Sequence, residues 1–158
     1  MCCNSEKGFT LLELVAVFGI IAILSSAAFY SISSRSSELI TEADSLRSYI
    51  RYTQARALAY GNTYILQCSG NSYAMYYESV STKNIVTLPN GDTRVRMADD
   101  IRFASGRNSF ALAFDNWGVP GLMENNTVTP LSRRFTITLR KEKQTQTITV
   151  IPATGFVE

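Results

Sequence analysis

The sequence contains no histidine in 158 residues. That removes the commonest general base and the commonest metal ligand. Its three cysteines, Cys2, Cys3 and Cys68, form no Cys-x-x-Cys pair, and three thiols cannot all pair within one chain. The alternating acidic residues of a calcium loop are missing too. No metal site and no cofactor is expected. Proline is absent before Pro89, so nothing in the first half forces a kink into a helix. Charged residues make up only 18%, and 15 Lys+Arg against 13 Asp+Glu leave +2, too little for whole-chain attraction to nucleic acid. There is no internal repeat and no low-complexity linker.

Catalysis has little to work with. Asp99, Asp100 and Asp115 are the acidic residues near expected turns, and without histidine or a nucleophile motif an active site would be built from carboxylates alone. Aspartates at such places cap backbone amides. No catalytic residue is expected, and the chain is not expected to be an enzyme.

What is present is a segregation of hydrophobicity. The overall 46% apolar content fits about one globular domain and excludes a disordered chain. From Phe9 to Tyr30, however, the only charge is Glu13. As a helix that run would reach roughly 33 Å, against about 30 Å of hydrocarbon in a bilayer. A cleaved secretory signal would need a basic start, but Glu6-Lys7 is neutral; Ser26-Ala27-Ala28 is a loose small-x-small site. A plain membrane anchor leaves Glu13 unexplained. An unpaired carboxylate at membrane depth costs about 2.5 kcal/mol or more and calls for a partner.

The segment Lys7-Gly8-Phe9-Thr10-Leu11-Leu12-Glu13-Leu14 resembles the class III signal of type IV pilins and type II secretion pseudopilins. The resemblance implies a leader ending at Gly8, removed by a membrane prepilin peptidase, and N-methylation of the new terminal residue Phe9. It makes Glu13 the family's assembly glutamate. Cleavage would create a charged amine at Phe9, and in a filament the Glu13 carboxylate of one subunit can pair with the Phe9 amine of a neighbour, setting axial register. The leader departs from the family's basic pattern in that Glu6 cancels Lys7.

Beyond the apolar run, Leu39, Ala43, Leu46, Ile50, Thr53, Ala57 and Tyr60 recur at spacings of four and three, one face of a helix. Glu38, Glu42, Arg47, Arg51 and Arg56 mostly fall off it. Gly61-Asn62 is a stop signal. One long helix from about Thr10 to Tyr60 is predicted, with the serine-rich Ser31–Ser37 as a looser join. The remainder reads as short strands. Thr63–Cys68 and Tyr73–Glu78 flank the turn Ser69–Ser72. Ile85–Leu88, Arg94–Met97, Ile101–Ala104 and Phe110–Phe114 follow, with turns at Pro89–Asp92, Ser105–Asn108 and Asp115–Gly118. Arg134–Lys141 alternates and should pair with Gln146–Ile151; Thr154–Val157 is a last short strand.

The stretches Phe114-Asp115-Asn116-Trp117-Gly118 and Thr154-Gly155-Phe156-Val157, with the helix end Leu46–Ala59, are similar to the GspH/FimT-type head of minor pseudopilins and minor pilins. That resemblance implies a β-sandwich head without enzymatic activity. Some members bind DNA through basic residues near the C-terminus. Here Arg133, Arg134, Arg140, Lys141 and Lys143 stand against Glu142 alone and are candidate phosphate contacts, though three of them crowd an expected hairpin tip where solvated charge is ordinary. Tyrosines between Tyr49 and Tyr77 suit helix–sheet packing. Cys68, in a strand, reads as a small buried hydrophobe.

The expected fold is α+β: a long N-terminal, partly transmembrane helix packed on an antiparallel, sandwich-like head. Residues 1–8 form the leader, 9–30 the transmembrane and filament-core helix, 31–60 its continuation and 61–158 the head. The expected function is that of a minor pilin or pseudopilin with a tip or initiation role. It would sit in the bacterial inner membrane with its head in the periplasm, then in a periplasmic or surface filament. Its partners would be the prepilin peptidase and other pilins. A DNA-uptake subunit and an unprocessed single-span anchor are the alternatives.

Overall fold

Helix α1 runs Leu11–Tyr60 and stops where the sequence stops it. Gly61 takes φ +65, which a side chain would strain, and its amide donates to the Ala57 carbonyl at 3.0 Å. The computed structural model describes residues 10–104 and 109–158, the side chains of 26–37 excepted. The chain divides into two units, residues 1–37 and 38–158.

In the first unit the described side chains, from Thr10 to Ser25, are exposed. They include Leu11 at 84%, Phe18 at 63% and Ile23 at 71%. Among the described residues no helix is long and apolar enough to cross a membrane. The expected span Phe9–Tyr30 lies only partly within them, since Phe9 and the side chains of residues 26–30 fall outside. The leader 1–8, Phe9 and the turn Ser105–Asn108 lie outside the described residues, as do the side chains of the Ser31–Ser37 join.

In the second unit the predicted helix face is the buried one. Leu39, Ala43, Leu46, Ile50, Thr53 and Ala57 are all at 2% exposure or less. Each fully buried leucine or isoleucine contributes roughly 1.5–3 kcal/mol. Tyr60, the last residue of the predicted face, is exposed at 59%. Thr53 meets its burial by donating to the Tyr49 carbonyl at 2.8 Å.

Among the described residues ten antiparallel strands follow: β1 Tyr64–Ser69, β2 Ser72–Tyr77, β3 Ile85–Val86, β4 Val95–Arg96, β5 Ile101–Phe103, β6 Ser109–Phe114, β7 Pro120–Glu124, β8 Thr127–Pro130, β9 Phe135–Lys141 and β10 Gln144–Val150. A seven-stranded sheet has the order β3-β2-β1-β6-β7-β8, with β4 also on β2; a three-stranded sheet has the order β10-β9-β5. Alternation sorts the large sheet's side chains. Leu66, Cys68, Tyr73, Met75, Leu112 and Phe114 share one core with α1 and with Ile137, Leu139, Ile148 and Val150 of the small sheet. On the opposite face, Ile65, Ala74, Tyr76 and Ala113 form a second, smaller cluster.

Several boundaries differ from expectation. The β9–β10 hairpin is tighter: Lys141 pairs with Gln144, and Glu142 takes φ 53 to close it. Thr154–Val157 is no strand. Ala153 and Gly155 at φ 68 and 66 fold the segment back, leaving a single bridge from Val157 to Val150. The β7–β8 hairpin turns on Asn125 and Asn126, both left-handed at φ 50 and 61, as a two-residue turn between twisted strands requires. Asparagine tolerates that region better than other side-chain-bearing residues.

Candidate functional site

The processing motif lies at the start of α1. Gly8 and Phe9, the expected cleavage and methylation positions, are outside the described residues. Immediately after them, Thr10 caps the helix. Its Oγ1 accepts from the Glu13 amide at 3.3 Å, and its carbonyl accepts from the amides of Glu13 and Leu14 at 3.1 and 3.2 Å. Thr10-Leu11-Leu12-Glu13 thus has the Thr-x-x-Glu spacing of a helix capping box, a signal the sequence reading passed over. Glu13 lies in the first turn, where a carboxylate is favoured by the positive end of the helix dipole. The glutamate therefore has a local role in helix initiation beside any role between subunits.

Past Glu13, exposed apolar side chains cover every face of the helix as far as Leu24. A helix apolar all round belongs in a bilayer or in the middle of an assembly. Gly19 sits within this stretch with nothing within 4 Å of where a Cβ would stand.

In the second unit the off-face helix residues reach for backbone carbonyls of the C-terminal segment. Arg47 donates to Thr147 at 3.2 Å and Arg51 to Val157 at 2.8 Å. Gln54 donates from Nε2 to both Gly118, at 2.9 Å, and Thr154, at 2.7 Å. Gly118 takes φ +75, and a Cβ there would come within 3.0 Å of Leu58; one on Gly155 would lie 3.0 Å from the Gly118 carbonyl oxygen. The Asp115–Gly118 turn and the Thr154-Gly155 segment, far apart in sequence, meet at Gln54. Asp115 plays the expected turn role: its Oδ1 accepts from the amides of Trp117 and Val119 at 2.9 and 2.8 Å.

The five candidate cations are not one patch. Arg133, Arg134, Arg140 and Lys143 are exposed. Lys141 is buried at 8% and ion-paired with Glu38 and, at 2.9 Å, with Asp100. It follows Ile137 and Leu139 on the inward parity of β9. Its hydrogen bonds to Glu38 and then Asp100 hold the ammonium above the usual lysine range, and the hydrogen bond from Lys141 holds the Asp100 carboxyl below the usual aspartate range. Lys141 is a core clamp, so its assignment as a phosphate contact is corrected. Asp99 pairs with Arg96 at 3.1 Å.

The tyrosines pack as expected. Tyr73 packs at a tilt against Tyr49, ring centres 5.2 Å apart, and Tyr64 edge-on against Tyr77 at 5.6 Å. Around the Arg56 guanidinium stand Tyr52, Tyr60 and Tyr64, at 5.7, 4.8 and 5.6 Å from their ring centres. Cys68 is buried, and burial pushes its thiol far above the usual range. Among the described residues there is no cluster of metal-ligating side chains.

Residues 3–29 match the family model of the prokaryotic N-terminal methylation motif. The match supports a precursor of pilin or pseudopilin type, processed by a prepilin peptidase. No curated protein and no solved structure matches the chain.

Proposed function

We propose that the chain is a minor subunit of a type II secretion pseudopilus or a type IV pilus, with a GspH/FimT-type, sandwich-like head. The methylation motif at residues 3–29 carries this reading. The prepilin peptidase cuts between Gly8 and Phe9 and Phe9 is N-methylated. The precursor is held in the bacterial inner membrane with its head in the periplasm until it joins a filament, in a tip or initiation role. The all-round exposure of apolar side chains from Leu11 to Leu24 supports this, since such a surface is stable only when lipid or neighbouring helices cover it. In the filament Glu13 of one subunit faces the Phe9 amine of the next. The sandwich-like head is supported by the single core that both sheets share with α1, and its type by the meeting of the Gly118 and Gly155 segments at Gln54. The role is structural, with no catalysis.

Mass spectrometry of the membrane fraction from cells with an active prepilin peptidase tests the proposal. The expected chain begins at a methylated Phe9. An intact Met1 in that fraction would overturn it.

A further inference from the structure

Strand β8 ends the seven-stranded sheet, and its outer backbone has no neighbour among the described residues. Natural edges are blunted by charge, bulges or shortness. Thr127-Val128-Thr129 carries no charge, is rich in strand-forming β-branched residues and ends at Pro130, a residue that edges tolerate. The other edges are shorter or partly taken: β5 has three residues, and the Phe103 amide donates to the Gly70 carbonyl at 3.4 Å. β3 and β4 have two residues each. The outer side of β10 is taken at its end by the Val157 bridge and by the paired bonds between Thr149 and Glu158.

Beside β8 lies an open groove of about 370 Å³, floored by Leu122, Pro130, Leu131 and Phe135. Arg133 and Arg134 line it, exposed and without an ion pair or hydrogen bond among the described residues. The groove wall is held in place: the Leu131 amide donates to the Pro120 carbonyl at 3.0 Å, and Phe135 packs edge-on against Phe110 at 5.4 Å.

We propose that this edge receives an extended segment of a partner polypeptide bearing acidic side chains. The segment adds to β8 as a further strand and sets its carboxylates against Arg133 and Arg134. Main-chain hydrogen bonds supply affinity, and the two guanidinium groups supply selection by charge. Polypeptide fits better than nucleic acid. The floor is apolar, which suits the side chains of an extended peptide. Lys141 is withdrawn into the core, and Arg140 and Lys143 belong to the β9–β10 hairpin of the other sheet. The inference does not depend on filament assembly and is tested apart from it.

The experiment uses the full chain in detergent micelles and a short fluorescent peptide alternating valine and aspartate. Fluorescence anisotropy should detect binding, and hydrogen exchange should slow at Thr127–Thr129. Arg133→Glu with Arg134→Glu should weaken binding about tenfold or more while leaving the melting temperature unchanged, since both side chains are exposed. Arg140→Glu with Lys143→Glu should leave it unchanged. Equal binding of a valine–lysine peptide, no binding at all, or no slowing of exchange at Thr127–Thr129 would each overturn the proposal. So would a DNA duplex that displaces the acidic peptide and depends on all four exposed cations.

Discussion

Gln54 of the helix holds the Gly118 carbonyl at 2.9 Å and, with the same amide nitrogen, the Thr154 carbonyl at 2.7 Å. One side chain thus satisfies backbone acceptors from two turns far apart in sequence. Gln54→Ala should destabilise the chain by about 2 kcal/mol, from two net hydrogen bonds of roughly 1 kcal/mol each. Urea unfolding followed by circular dichroism gives the number. A change below a few tenths would show that the two carbonyls find water instead.

Gly155 is the more sensitive position of that junction. A methyl there meets the Gly118 carbonyl oxygen at 3.0 Å while the backbone sits at φ +66. Gly155→Ala should cost more than Gln54→Ala, because strain at a left-handed position adds to the clash. Gly70, also at φ +61 but with nothing within 4 Å, is the control: Gly70→Ala should show the conformational strain alone.

The Lys141 clamp predicts a pH dependence. Asp100, with its carboxyl held below the usual range, stabilises the fold above the ordinary aspartate value, and this is lost as pH falls through the lowered one. Lys141, held above its usual range, stabilises below the ordinary lysine value, and this is lost as pH rises through the raised one. Asp100→Asn should therefore melt lower than the parent at neutral pH, with the gap closing under acid. A gap that does not change with pH would remove the ion pair as its cause.

Glu42 behaves in the opposite sense. Partial burial, with Glu38 one turn away, raises its carboxyl, although a backbone hydrogen bond from Ala98 acts against the rise. Its ionisation works against the fold as pH increases past the ordinary glutamate range. Glu42→Gln keeps an acceptor for Ala98 and removes the like-charge pair, so it should stabilise at neutral pH by about 0.5 kcal/mol. The gain should vanish at acid pH in the same melting series.

Glu13→Val and Glu13→Gln separate the two roles of the glutamate. Both should still be cleaved at Gly8, because the apolar run is kept. Both should enter filaments poorly, for want of a counter-charge to the neighbour's Phe9 amine. Glu13→Gln retains hydrogen-bonding capacity at the helix start; if it assembles like the parent, the capping contribution outweighs the charge. Immunoblots of sheared filaments against the membrane fraction give the ratio.

The elements that sequence made legible are those set by neighbours along the chain. The spacing from Leu39 to Ala57 marked the buried face, Gly61 the helix end, and Ser69–Ser72 the first hairpin. Strand parity also pointed Lys141 inward beside Leu139, but its charge drew the reading to the surface. Its partners, Glu38 and Asp100, come from distant parts of the chain, so no local pattern announces them. The same holds for Gln54, one hundred residues from Thr154. The β7–β8 hairpin was hidden because Asn125-Asn126 is a weaker turn signal than Asn-Gly, and because Glu124 and the exposed threonines blur the alternation.

The turn that Asp115 ties down presents Trp117, the sole tryptophan, with 78% of its surface in water. Its emission should already be that of a hydrated indole in the folded chain. Denaturation would then shift the spectrum little, and fluorescence would be a poor gauge of folding. The same property makes it a clean optical reporter of contact: any blue shift in the native protein signals that something has come to rest on that turn.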